Sequence, residues 1–347
     1  MLAAEPGDGH VDVTIPLIDI SGWRSGSPAR RREIAGEVDR ACREIGFLII
    51  GGHSVSPDVV ERIERTTRAF FDLPLEVKLS YASKNPAVFR GYARINTAAL
   101  ARAYNDEASA PDFRETFSIN RISIDPADPY FTTEYARRIF APNIWPDVIG
   151  DFRASWEDYY RSMEQLASEL MQIFATALGL EETFFKDRID KHTTGLLASN
   201  YPEPAGDRPG NQIRAGAHTD YGSLTILHAE NKPGGLQVQT AEGVWKDVPV
   251  VPGAFIINIG DLMARWTNDR WVSTIHRVVN PPRDRIAGSR RQSFAFFHQP
   301  NYDAVIECLP TCRGEGGPRY EAINSGEYLE SKLIQIQMPA SRKSHAS

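Results

Sequence analysis

SLTILHA (223–229), GLQVQ (235–239), WKDVPV (245–250), AFIINI (254–259), STIHRVV (273–279) and SFAFF (293–297) decide the fold. Each is a short run rich in β-branched and aromatic residues, and turn-forming clusters at Lys232–Gly235, Glu242–Gly243 and Asp284–Gly288 separate them. Upstream the periodicity is helical. Ile34, Val38, Ala41, Cys42 and Ile45 form a stripe that Gly46 ends, FLII (47–50) reads as a buried strand, and IPLID (15–19) nearer the start as a short one. Ser56 and Pro57 offer an N-cap and a first helical residue for a helix running through Phe70 and Phe71. Val148, Phe152, Trp156, Tyr159, Met163, Leu166, Leu170, Ile173 and Phe174 sustain one long amphipathic helix. Many short strands after a helical first half predict an α+β, mainly β fold. Its core is a double-sheet roll braced by a long helix and an N-terminal helical region, with a mouth at one end.

The composition narrows the class. The 347 residues are 41% hydrophobic and 24% charged, as expected of a globular chain with a sizeable core. No linker separates independent domains, so residues 1–347 are expected to form one unit, with 14–140 as a helix and strand region and about 195–300 as the roll. A formal charge of −6 gives no reason to expect nucleic acid or an anionic membrane as partner. No apolar run approaches the roughly 20 residues that span a bilayer. MLAAEPGDGH (1–10) lacks a basic start and an apolar h-region, so no secretory signal is expected. The cysteines, Cys42, Cys308 and Cys312, cannot all pair, and a reducing cytoplasm fits them.

Three segments carry chemistry. In AGAHTDYGSLTIL, His218 and Asp220 stand two apart, a spacing that puts both side chains on one face of a strand. His276 lies in STIHRVV, another β-rich run. Two imidazoles and a carboxylate on one ion leave open positions, which suits non-haem iron(II). Zinc is more often held four-coordinate, and the residue types alone do not exclude it. An H-x-D pair by itself is a weak signal, and His276 alone reads more often as a hydrogen-bonded core or surface histidine. The third segment, SRRQSFAFF, places Arg291 and Ser293 on one strand face, where a guanidinium fork and a hydroxyl can clamp a carboxylate. The plainer alternative, an arginine closing a surface ion pair, suits Arg290 better than Arg291.

These segments resemble the iron- and 2-oxoglutarate-dependent dioxygenases related to isopenicillin N synthase and to plant flavonoid and gibberellin oxygenases. IPLIDISGW, ACREIGFLIIGGHSV, FFDLPLEVKLSY, RGYARI, DFRETFSI, HTDYGSLTIL, GGLQVQ, WKDVPVVPGAFIINIGDLMARWTNDRWVSTIHRVVNP and RQSFAFFHQPNYD follow in family order over roughly residues 14–335. The resemblance implies a double-stranded β-helix (jelly-roll) fold. It also implies an Fe(II) centre on His218, Asp220 and His276, with 2-oxoglutarate and O2 as co-substrates. By position, Arg291 and Ser293 match the pair that holds the far carboxylate of 2-oxoglutarate, and Tyr201 in SNYPEP adds a hydrogen bond to it. Ser199 stands where many relatives have asparagine. His53 matches a structural histidine, not a ligand. Arg90, Tyr92, Arg94, Phe117 and Phe297 match positions around the mouth and are expected to touch the prime substrate.

The implied reaction oxidises a C–H bond of a small organic molecule, by hydroxylation, desaturation or cyclisation, as 2-oxoglutarate is decarboxylated to succinate. The Ala- and Arg-rich composition points to bacterial specialised metabolism. Isopenicillin N synthase and aminocyclopropane carboxylate oxidase keep the Arg-x-Ser pair without consuming 2-oxoglutarate, so an oxidase of that kind is the alternative. A non-catalytic double-sheet binding protein would tolerate loss of His218. YLESKLIQIQ (328–337) is expected to be a helix able to cover the mouth, and MPASRKSHAS (338–347) a disordered tail.

Overall fold

The computed structural model describes residues 14–85, 88–97, 100, 110–204 and 212–337; the expectations for 1–10 and 338–347 lie outside them. Strands β1 (Leu17–Asp19), β2 (Phe47–Gly51), β3 (Gly91–Ala93), β4 (Glu115–Asn120) and β5 (Gly195–Tyr201) come first along the chain. Then follow β6 (Ala215–His218), β7 (Leu224–Ala229), β8 (Leu236–Gln239), β9 (Trp245–Asp247), β10 (Phe255–Ile259), β11 (His276–Val278) and β12 (Arg291–His298). A short ribbon of β13 (Val305–Ile306) and β14 (Ile323–Asn324) leads into a helix at Ser325–Gln337.

The strands form two facing layers. The large sheet has the order β1-β2-β10-β7-β12-β5-β4-β3, and the small one β6-β11-β8-β9. Strands from the N-terminal half thus sit at both edges of the large sheet. Among the described residues only β1 pairs in parallel, with β2; the ladders from β2 to β3 are antiparallel. This is the jelly roll that the sequence predicts.

Two apolar cores explain why the strand runs are so hydrophobic. One face of the large sheet packs Phe117, Ile119, Leu196, Ala198, Phe294 and Phe296 against the helices. The other face shares a smaller core with the second layer, through Phe47, Ile49, Tyr201, Ala215, Val238 and Ile256. Strands buried on both faces lose the alternation of a one-sided sheet. The helix Phe152–Ala177 spans the first core, burying Trp156, Tyr159, Tyr160, Met163, Leu170 and Phe174. It starts later than its periodicity suggested: Val148 lies before it and is exposed. The helix Pro57–Phe71 has Pro57 in its first turn as expected, but Ser56 makes no side-chain capping bond.

Candidate metal centre and carboxylate pocket

His218 closes β6 and His276 opens β11, and the two are directly paired across that antiparallel ladder. Cross-strand neighbours on one face lie close enough to meet, and their ring centroids are 4.3 Å apart. Asp220 reaches them differently from the expected alternation, since β6 ends at His218 and Asp220 sits in the following loop. Backbone contacts hold that loop. Asp261 N donates to Asp220 O at 2.8 Å, and Gly260 N to Ser223 O at 3.1 Å. A Cβ on Gly260 would lie 2.3 Å from Gly222 O, so only glycine permits this approach. The ligand atoms of His218, Asp220 and His276 all lie within 4.8 Å of one another.

Hydrogen bonds decide which atoms are offered. His218 Nδ1 is 2.7 Å from Gly216 O and His276 Nδ1 is 3.0 Å from Thr274 O. A carbonyl can only accept, so each Nδ1 carries the proton and each Nε2 presents a lone pair. Asp220 Oδ2 accepts from Thr225 Oγ1 at 2.6 Å and Asn258 Nδ2 at 2.8 Å. Its Oδ1 lies 3.8 Å from His218 Nε2 and 3.7 Å from His276 Nε2. Burial and the neighbouring His276 push the His218 pKa down to about 3, which keeps its nitrogen unprotonated. Burial works against the Asp220 carboxylate, but His276, His218, Asn258 and Thr225 outweigh it and hold its pKa below the usual range. Two neutral nitrogens and one anionic oxygen suit a divalent ion with open positions.

Asn258 and Thr225 are absent from the sequence expectations. An asparagine inside the apolar strand FIINI was the available signal, because a buried amide needs a partner. Asn258→Ala leaves Oδ2 with one donor and frees the carboxylate to rotate. We expect Fe(II) affinity, measured by anaerobic titration, to fall about 10- to 100-fold. Unchanged affinity would show that Thr225 alone fixes the carboxylate.

The predicted carboxylate clamp assembles on the same face of the large sheet. Arg291 pairs with Tyr201, and Ser293 with Ser199, across β12 and β5. Arg291 is 3% exposed, so an unmatched charge there is costly. Its Nη1 reaches Gly234 O only at 3.3 Å, and its Nε is buried without a partner among the described residues. Its guanidinium carbon lies 5.5 Å from the centre of the Tyr201 ring. Burial raises the Tyr201 phenol pKa, yet Arg114, Arg291, Ser293 and Ser199 together hold it below its ordinary value. This set of donors fits a carboxylate group. Arg290 instead pairs with Asp72 at 2.6 Å, as its surface reading predicted.

Among the residues expected at the mouth, Phe297 shares the metal face. It is half-buried and pairs with Thr225, which holds Asp220. Phe117 is fully buried among Phe70, Phe152 and Trp156, on the helix side of the sheet. Tyr92 pairs with Phe117 and donates to Glu115 Oε2 at 2.7 Å. Arg90 donates to Ile139 O and, at 2.7 Å, to Phe89 O. Arg94 lies exposed on the loop after β3. Phe117, Tyr92 and Arg90 thus make structural contacts away from the triad, while Arg94 is a solvent-exposed arginine. His53 is structural as expected, with Nε2 2.9 Å from Gly253 O. The C-terminal helix begins earlier than predicted, and Tyr328 donates to Asp261 Oδ2 at 2.9 Å.

Comparison with known proteins agrees with this geometry. The family model described as non-haem dioxygenase in morphine synthesis N-terminal matches residues 15–148, and that of the 2OG-Fe(II) oxygenase superfamily matches residues 193–300. The chain is 33% identical to 2-oxoglutarate-Fe(II) type oxidoreductase hxnY of Emericella nidulans, over 92% of this chain and 89% of that one. It is 30% identical to Validamycin A dioxygenase of Streptomyces hygroscopicus subsp. limoneus, over 93% and 87%. Among solved structures, a full-length Neurospora crassa protein in complex with alpha-KG superposes with a TM-score of 0.81 at 32% identity, over 94% of this chain and 98% of that chain. Among the described residues, no helix is long and apolar enough to cross a membrane.

Proposed function

Because the chain belongs to the 2OG-Fe(II) oxygenase superfamily, we propose that His218, Asp220 and His276 hold its ferrous ion and that Arg291, Ser293 and Tyr201 hold its 2-oxoglutarate. The protein is an Fe(II)- and 2-oxoglutarate-dependent dioxygenase with O2 as the other co-substrate. The convergence of the three ligand atoms within 4.8 Å carries the assignment of residues. The unpartnered Arg291 Nε supports the placement of the co-substrate. We read the chain as one unit, since strands from both halves pair in one sheet.

Bound iron and 2-oxoglutarate supply oxygen activation coupled to decarboxylation, giving succinate, carbon dioxide and an oxidised substrate. The chain supplies placement. Gly216 O and Thr274 O hold the imidazole protons on Nδ1, so that both Nε2 atoms stay available for the metal. Thr225 and Asn258 fix the Asp220 carboxylate, leaving Oδ1 toward the metal. Arg291 and Ser293 would anchor the far carboxylate of the co-substrate. Phe297 presents an apolar surface beside Thr225, fitted to hold the prime substrate's carbon skeleton and exclude water.

The substrate in this reading is a small organic molecule oxidised at a C–H bond. The similarity to Validamycin A dioxygenase supports a place in bacterial specialised metabolism. Three free cysteines support a reducing, cytoplasmic setting. The isopenicillin N synthase-like alternative is not favoured, because relatives matched along nine-tenths of the chain are named for 2-oxoglutarate or hold alpha-KG. Turnover with Fe(II), 2-oxoglutarate and O2 should yield one succinate per oxidised product. Product formation without succinate would remove this reading.

A further inference from the structure

Strand register extends the carboxylate pocket to a residue that the triad and clamp leave out. Ser293, Ser199 and Thr116 form one row across β12, β5 and β4. The next row begins with Arg291 and Tyr201. The β4 ladder pairs Glu115 with Asn200, so Arg114, one residue earlier, stands level with Tyr201. Alternation turns Arg114 to the face of Ser199 and Ser293, opposite to Phe117 and Tyr92.

Its contacts agree with that placement. Arg114 Nη1 donates to Ser199 Oγ at 3.0 Å, and its Nε is buried without a partner among the described residues. Asp112 Oδ2 lies 3.4 Å from Arg114 Nη2, while Asp112 Oδ1 accepts from Gly216 N at 3.0 Å. Asp112 thus ties Arg114 to the backbone that orients His218; burial opposes the Arg114 charge, but Asp112, Tyr201 and Asp220 outweigh it and keep the guanidinium charged. Arg214, which also faces the Tyr201 ring, differs in kind. Its guanidinium donates to the carbonyls of Pro233, Gly234 and Ser289 and serves the loop.

We propose that Arg114 is a second guanidinium of the co-substrate pocket, donating to the distal carboxylate of 2-oxoglutarate across the Tyr201 hydroxyl from Arg291. Ser199 and Asp112 hold it in position. Two forks on one carboxylate select a 2-oxo diacid over a 2-oxo monoacid, whose end offers them nothing to bind. The inference rests on Arg291, Ser293 and Tyr201 being the co-substrate clamp.

The test is anaerobic calorimetric titration of 2-oxoglutarate into the Fe(II)-loaded full chain, for wild type, Arg114→Gln, Arg114→Lys and Arg291→Gln. Arg114→Gln should weaken 2-oxoglutarate binding at least about tenfold, the scale of one charge-assisted contact, with Fe(II) affinity unchanged. Arg114→Lys should recover part of the loss; it also carries the test if the glutamine variant does not fold, by binding 2-oxoglutarate more weakly than wild type at equal Fe(II) affinity. Wild-type binding in both Arg114 variants overturns the proposal. So does a loss of Fe(II) affinity and melting temperature in parallel with the loss of 2-oxoglutarate, since that marks a structural role through Asp112. If Arg291→Gln also binds 2-oxoglutarate normally, the clamp itself is misplaced; if only the Arg114 variants do, the clamp stands and this inference alone fails.

Discussion

Asp220→Asn is expected to lower kcat/KM by about three orders of magnitude or more, a loss of roughly 4 kcal/mol of transition-state stabilisation. The reason lies in how both carboxylate oxygens are used. Oδ2 accepts from Thr225 and Asn258, and Oδ1 faces the two Nε2 atoms. An amide cannot meet both demands. With its oxygen toward the metal, its NH2 meets the Asn258 NH2, donor against donor in a buried site. With its NH2 toward the metal, no lone pair is available to bind it. Either way the negative charge is gone. Fe(II) titration and succinate release should fall together, while far-ultraviolet circular dichroism stays that of the wild type. Retention of activity within tenfold would mean that Asp220 is not a ligand.

The parts of this molecule legible in the sequence were those written in short-range pattern. The strand runs after residue 223 gave the roll, and their alternation put Arg291 and Ser293 on one face. The triad was legible from residue type and order, but its geometry was not. His218 and Asp220 meet His276 because a ladder ends at His218 and a glycine contact bends the loop behind it, not because a strand alternates through both. Which face of a doubly buried sheet holds the pocket cannot be read from hydrophobicity, since both faces are apolar. Tyr92 and Phe117, expected at the mouth from family position, lie instead in the aromatic core. Arg114 was passed over for a related reason. Its meaning depends on register with β5, a strand some eighty residues away, and nothing within DFRETFSI records that pairing.

Arg291→Gln should separate binding from chemistry. A buried cation with one long backbone contact and an unpartnered Nε gains its acceptor when a carboxylate arrives. Removing one partner of a buried charge pair costs about 3–4 kcal/mol, so KM for 2-oxoglutarate should rise two to three orders of magnitude. At saturating co-substrate, kcat should change far less, because the proposed clamp puts Arg291 at an end of the molecule remote from the reacting atoms. Arg291→Lys should fall between, keeping the charge and losing the fork. Arg290→Gln is the control: its pair with Asp72 is half exposed, and its loss should alter KM by less than about twofold. Stability adds an independent sign. Without ligand the glutamine variant should melt no lower than wild type, because burial already disfavours the Arg291 charge. With 2-oxoglutarate at about 100 times its wild-type Kd, only the wild type should gain close to 2.7 kcal/mol. Equal ligand-induced shifts in both proteins would place the co-substrate somewhere other than against Arg291.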